Sequence, residues 1–202
     1  MDDLSQISKW WHDHVGHTRR YVNGIFNKEP EKAHGALHGL WKGVHDWKRL
    51  SGVPGSAPLM GEHAILVKTL VDAGERGFRP GETENLVDYL KKNSKAQADL
   101  YGQKIPGFPK DEWKKLFDEH IDATGAEVVA AAKGDTKGFH ENWKKILENR
   151  DKLSAFSDKA FSRGMGDEEY YDGLGDEEYG DGVGDEGVSA GEDETEGSSG
   201  LW

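Results

Sequence analysis

Three histidines recur in a similar local setting. Asp13-His14-Val15, Glu62-His63-Ala64 and Glu119-His120-Ile121 each place an acid before the histidine and an apolar residue after it. The histidines are 49 and 57 residues apart. Neutral imidazole is the commonest protein metal ligand. Three imidazoles on one ion leave a coordination position open, as in catalytic zinc sites. His14, His63 and His120 are therefore candidate ligands of one divalent ion, zinc or iron. Asp13, Glu62 and Glu119 are either orienting partners of those imidazoles or simple surface charges. With bonds of roughly 2.0–2.1 Å, one ion can hold all three only if they lie within about 8 Å of one another.

A weaker set follows the same chemistry. His34, His38, Trp41 and His45 form a row at i, i+4, i+7 and i+11, so His34 and His38 could chelate a metal at the surface. Glu31-Lys32-Ala33-His34 has the Glu-x-x-His spacing of carboxylate-bridged di-iron bundles, but only one copy occurs and those sites need two. His12, His17 and His140 read as rim or local residues. The chain has no phosphate-binding loop, no Gly-x-Gly-x-x-Gly, no His-Glu-x-x-His and no Gly-x-Ser-x-Gly elbow.

The elements that must position these residues read as six helices. Leu4, Ile7, Trp11, His14, Thr18, Tyr21 and Ile25 are spaced alternately three and four apart, one helical face over about 4–26. The same spacing predicts helices over about 31–50, 59–73, 82–101, 110–133 and 136–161. Ser51 to Pro58, Gly74 to Gly81 and Gly102 to Pro109 read as loops. No alternating β-branched run of useful length exists. The fold class is therefore all-α, an up-and-down bundle of about six helices in three helical hairpins. In such an array the first helices of the hairpins run parallel, which can bring His14, His63 and His120 to one height.

Several residues on the inner stripes are polar: Thr18 after His14, Asn93 with Gln97, and Thr124 after His120. A buried polar group without a partner costs roughly 1–3 kcal/mol, so this layer must satisfy itself, a water or a ligand. Three readings follow: a histidine–amide hydrogen-bond network that fixes helix register, a metal centre, or a pocket for a small organic ligand.

The charge divides the chain. The 202 residues carry 26 Lys and Arg against 38 Asp and Glu, a net charge of −12. From Gly164 to Trp202 there are 14 acids and no Lys or Arg, so residues 1–163 sit near +2. The tail, 164–202, repeats Gly-x-Gly-Asp-Glu with a nine-residue period and reads as disordered, because Gly and like charges cannot bury enough apolar surface to offset chain entropy. Its Tyr170, Tyr171 and Tyr179 suit an acidic arm that binds a protein partner. Its glycine and aspartate positions fit a calcium-binding β-roll poorly. On this reading, deleting 164–202 leaves the thermal midpoint of the helical part nearly unchanged.

The absence of cysteine excludes disulfides and thiol chemistry. Without a concentrated basic face, nucleic acid is an unfavoured partner. No apolar run reaches about 18 residues and the N-terminus has no signal-peptide pattern, so a cytoplasmic or intracellular location with no membrane attachment is expected. A homodimer through the His34–His45 face is a candidate assembly.

Trp11-His12-Asp13-His14-Val15-Gly16-His17-Thr18-Arg19 resembles the Trp-x-x-His-Val-x-x-Thr-Arg first helix of a poorly characterised family of helical-bundle proteins. Asn93 to Gly102, His120-Ile121 with Ala130 to Asp135, and Trp143 through Asp151 to Phe156 resemble its later motifs. Met60-Gly61-Glu62-His63-Ala64 is similar to a helix opening of haemerythrin-like and ferritin-like bundles. The resemblance implies the bundle fold. It does not extend to a di-iron ligand set, since the fourth and sixth helices place no histidine on their inner faces.

The residues favour a non-enzymatic binding or scaffold protein, stiffened by its internal polar layer and engaging a partner through the acidic tail. The alternative is a mononuclear metal-binding bundle on His14, His63 and His120, with hydrolytic or redox chemistry.

Overall fold

A computed structural model of the chain describes residues 4–162; the acidic tail lies outside the described residues. Six helices follow one another: α1 (Gln6–Phe26), α2 (Pro30–Ser51), α3 (Ser56–Glu75), α4 (Glu82–Lys104), α5 (Lys110–Ala132) and α6 (Thr136–Ser162). No strand occurs among the described residues. None of these helices is long and apolar enough to cross a membrane.

The helix ends have identifiable causes. Ser5 caps α1, its hydroxyl accepting from Ser8 N at 2.9 Å, so the helix begins at Gln6 rather than Leu4. Leu4 is correspondingly exposed. Pro30 opens α2, where its missing N–H costs nothing. Gly52 ends α2 in the left-handed conformation, φ 64°. Asp135 Oδ1 accepts from Gly138 N at 2.9 Å and fixes the start of α6.

One expected loop is shorter than the sequence reading gave. Ser56, Ala57 and Pro58 belong to the first turn of α3. Gly55, at φ 87°, makes the sharp entry, and proline is tolerated where no intrahelical N–H bond is needed. The inner face of α3 also shifts. Met60, Ala64, Val67 and Val71 are buried with His63 and Leu70, whereas Leu59 and Leu66 are only half-buried.

Neighbouring helices pack in chain order and α6 returns to α1, closing a ring; α1, α3 and α5 additionally touch one another inside it. The odd-numbered helices thus meet in the middle. The core is aromatic where they meet: Trp11, Trp47, Trp113, Tyr101, Phe117 and Phe161 are all fully buried. Trp47 Nε1 donates to Tyr101 Oη at 2.7 Å, tying α2 to α4. Trp11 Nε1 donates to Ser157 Oγ at 2.9 Å, tying α1 to α6. Such bonds satisfy the polar ends of Trp47, Trp11 and Tyr101 in the interior, whereas Trp113 Nε1 is buried without a hydrogen-bond partner.

Candidate metal centre

The central triangle of helices brings His14 on α1, His63 on α3 and His120 on α5 together. Each offers a ligand nitrogen, and the three nitrogens lie within 4.8 Å of one another. The ring centroids are 5.8 Å (His14–His63), 6.1 Å (His14–His120) and 6.3 Å (His63–His120) apart. All three residues are buried, with relative exposures of 6%, 1% and 2%.

Aromatic rings hold the imidazoles in place. Trp10 stacks on His14, with centroids 4.9 Å apart and planes 11° from parallel, and donates its own Nε1 to Gly43 O at 2.7 Å. Phe117 lies 4.9 Å from His63 and stacks on His120 at 6.1 Å. Trp11 presents an edge to both His14 and His120. This wall is aromatic and buries the rings, which fixes the charge state. Burial, reinforced by the His120 charge, holds His63 down to about 3. Burial alone holds His120 down to about 4. Burial, then His63, His120 and His17, keeps His14 well below the ordinary imidazole range. All three are neutral at pH 7, the state that ligates a metal.

The rest of the polar layer makes bonds of its own that do not involve the imidazole nitrogens. Thr18, Asn93, Gln97 and Thr124 are all buried. Thr18 Oγ1 donates to His14 O at 3.0 Å, a bond within its own helix. Gln97 Nε2 donates to Asn93 Oδ1 at 2.7 Å, and Asn93 Nδ2 donates to Leu59 O at 3.0 Å and to Glu62 Oε2 at 2.6 Å. Glu62 thus steadies Asn93. Asp13, Glu62 and Glu119 are themselves exposed. His14 Nε2, both ring nitrogens of His63 and His120 Nδ1 are buried without a hydrogen-bond partner, as are Gln97 Oε1 and Thr124 Oγ1.

The weaker candidates lie elsewhere. His34, His38 and His45 are exposed on the outer face of α2, and Trp41 is half-buried. Among the described residues only His14, His63 and His120 form a group of three ligands. His12 is half-buried, its Nε2 3.9 Å from Asp151 Oδ1. His140 is exposed. In the small basic patches Lys42 pairs with Asp46, Lys91 with Asp122 and Lys95 with Asp99, while Arg49 donates to Gln6 and Lys92 lies over the Tyr89 ring. A cavity of about 550 Å³ between the α4–α5 loop and α6 is lined by Phe108, Leu116, Lys152 and Phe156 among others and by no member of the triad.

A second buried polar group escaped the sequence reading. Arg19 bonds Glu127 across α1 and α5, and its guanidinium lies 3.5 Å from the centroid of Phe139 and 4.9 Å from that of Trp143. Burial pushes the Glu127 carboxyl up to about 7, outweighing the pull of Arg19 in the opposite direction. The signal was present: Glu127 is seven residues beyond His120 and three beyond Thr124, on the same inner stripe. A chain of hydroxyls was also missed. Ser154 Oγ donates to Ser8 Oγ at 2.7 Å, and Ser8 Oγ to Asp158 Oδ2 at 2.6 Å.

Comparison with known protein families, with curated proteins and with solved structures finds no match for this chain.

Proposed function

We propose that the bundle is a mononuclear metal-binding protein in which His14, His63 and His120 hold one divalent ion, zinc or iron. The observation that carries the reading is the convergence of three neutral imidazoles from three helices, four of whose ring nitrogens are buried and unpaired. Leaving each such group unsatisfied costs roughly 1–3 kcal/mol. A register-fixing hydrogen-bond network would use those nitrogens, yet Asn93 and Gln97 bond each other, Leu59 and Glu62 instead. The donor set fits an ion. At the widest separation of 4.8 Å, each nitrogen is about 2.8 Å from the centre of the triangle, so an inward shift of about 0.7 Å or less reaches the bond lengths of zinc. Three neutral ligands leave the ion its full charge and an open position, which suits activation of a bound water.

Elemental analysis of full-length protein purified without a polyhistidine tag tests this. One equivalent of metal per chain is expected, and it is lost in His63→Ala and His120→Ala proteins that still give a helical circular dichroism spectrum. Wild-type protein that takes up no zinc, iron or cobalt on reconstitution sinks the reading.

A second reading rests on the 14 acids and the absence of Lys and Arg from Gly164 onward. In it the bundle is a non-enzymatic scaffold and the tail engages a basic protein surface. Salt-sensitive capture of a partner that requires residues 164–202, by metal-free protein, distinguishes it.

A further inference from the structure

Outside the triad, two further histidines stand together on the surface. α2 runs unbroken from Pro30 to Ser51, and His34 and His38 are both exposed on its outer face. Four residues span about 6 Å of rise and close to one full turn, so the two side chains leave the same face one above the other. This is the spacing at which a pair of helical histidines grips one ion from a single side. It needs one regular helix and no particular packing of several.

Nothing else claims these rings. The ion pairs of α2 are Lys32 with Glu29 and Lys42 with Asp46, and neither histidine is held by an acid among the described residues. Gly35, next to His34, has open space where a side chain would stand, so the approach is clear. Trp41, the next residue of the row, is half-buried and packed on the core. His45 lies about 10 Å of rise beyond His38, out of reach of an ion held by the pair. Glu31 does not complete a set of three: among the described residues only the triad brings three ligand atoms within 4.8 Å. The pair therefore supplies two ligands, and an ion on it keeps the rest of its shell for donors from solution. Imidazole suits zinc, nickel and copper, and copper(II) is held most tightly by a given nitrogen site.

We infer that His34 and His38 form a second metal site, an open chelate on the outer face of α2 that takes copper(II), nickel(II) or zinc and leaves the remaining positions of the ion to water or to a ligand from another molecule. The inference stands apart from the metal reading of the triad, whose ring nitrogens are buried.

The test uses full-length protein that carries no tag and has been washed with a chelator. The probe is copper(II) already held by nitrilotriacetate. That complex has a pair of adjacent positions left and is too bulky for the buried triad, so it selects exposed neighbouring imidazoles. One complex per chain is expected, with imidazole nitrogen couplings in its electron paramagnetic resonance spectrum. His34→Ala and His38→Ala should each weaken binding at least tenfold while keeping a helical circular dichroism spectrum. His45→Ala and His140→Ala, also exposed, should stay within twofold of the wild type, as should His63→Ala. The inference is overturned if the wild type does not bind the complex, if His38→Ala binds within twofold of the wild type, or if His45→Ala weakens binding as much as His38→Ala. If the triad takes up no metal on reconstitution while chelated copper binds as described, the triad reading fails and the α2 site stands.

Discussion

Neutral imidazoles deep in the core give the bundle a defined response to acid. An unfolded histidine takes its proton near pH 6.5, whereas His63 and His120 resist until about 3 and about 4. Between those limits the unfolded chain binds more protons, so the contribution to stability is complete above about pH 6.5 and is lost as pH falls toward 4. The urea midpoint of metal-free protein should drop across this window, and a His63→Leu protein should show a shallower slope. Glu127 works in the opposite sense. Its carboxyl is raised from the ordinary 4.5 to about 7, so its contribution falls as pH rises between those values. Arg19→Met should cost about 1–3 kcal/mol, because Glu127 then takes up a proton and stays buried without its hydrogen-bond partner. The double variant Arg19→Met, Glu127→Leu should recover most of that loss in chemical denaturation.

At the scale of helices, close approach is set by glycine. A Cβ on Gly24 would lie 2.6 Å from Ala33 N and 2.8 Å from Ala33 Cα, backbone atoms that yield only if α1 and α2 separate. Nothing lies within 4 Å of a Cβ on Gly35. Gly24→Ala should therefore cost about 1–3 kcal/mol through overpacking, while Gly35→Ala should gain up to about 1 kcal/mol of helix propensity; paired thermal denaturation of the two variants checks both signs. The helices themselves were legible in the spacing of apolar residues, and the inward histidines were legible because they interrupt that spacing. Two kinds of feature were not. Buried serines such as Ser8, Ser154 and Ser157 are small enough for either face, so periodicity does not distinguish them. The start of α3 was obscured by Pro54 and Pro58, since proline marks a break in one place and a first helical turn in the other. The convergence of the triad on one point depends on how α1, α3 and α5 meet, and helix packing angles are not encoded in any single helix's pattern.

Across the whole molecule, a ligand shared by three helices acts on the global folding equilibrium. An ion that binds the native triad and not the unfolded chain adds about 2.7 kcal/mol at a hundred times its Kd. For a domain of this size that is a rise in Tm of roughly 5–10 °C, measurable by scanning calorimetry and absent in His63→Ala. The acidic tail leaves this argument unchanged, since the 26 basic and 24 acidic residues of 1–163 nearly balance. The net charge of −12 describes the sum of two very different segments.

The stacking of Trp10 on His14 has a photophysical consequence. An excited indole in van der Waals contact with a ligated imidazole is within reach of quenching by an open-shell ion, whereas the filled d shell of zinc offers no such pathway. Copper(II) or cobalt(II) should darken Trp10 and Trp11 together with Trp47 and Trp113, whose rings lie 4.3 Å from Trp10 and 6.2 Å from Trp11, and zinc should compete the effect away. Trp10 would thus report, with no label attached, which metal the proposed site takes up.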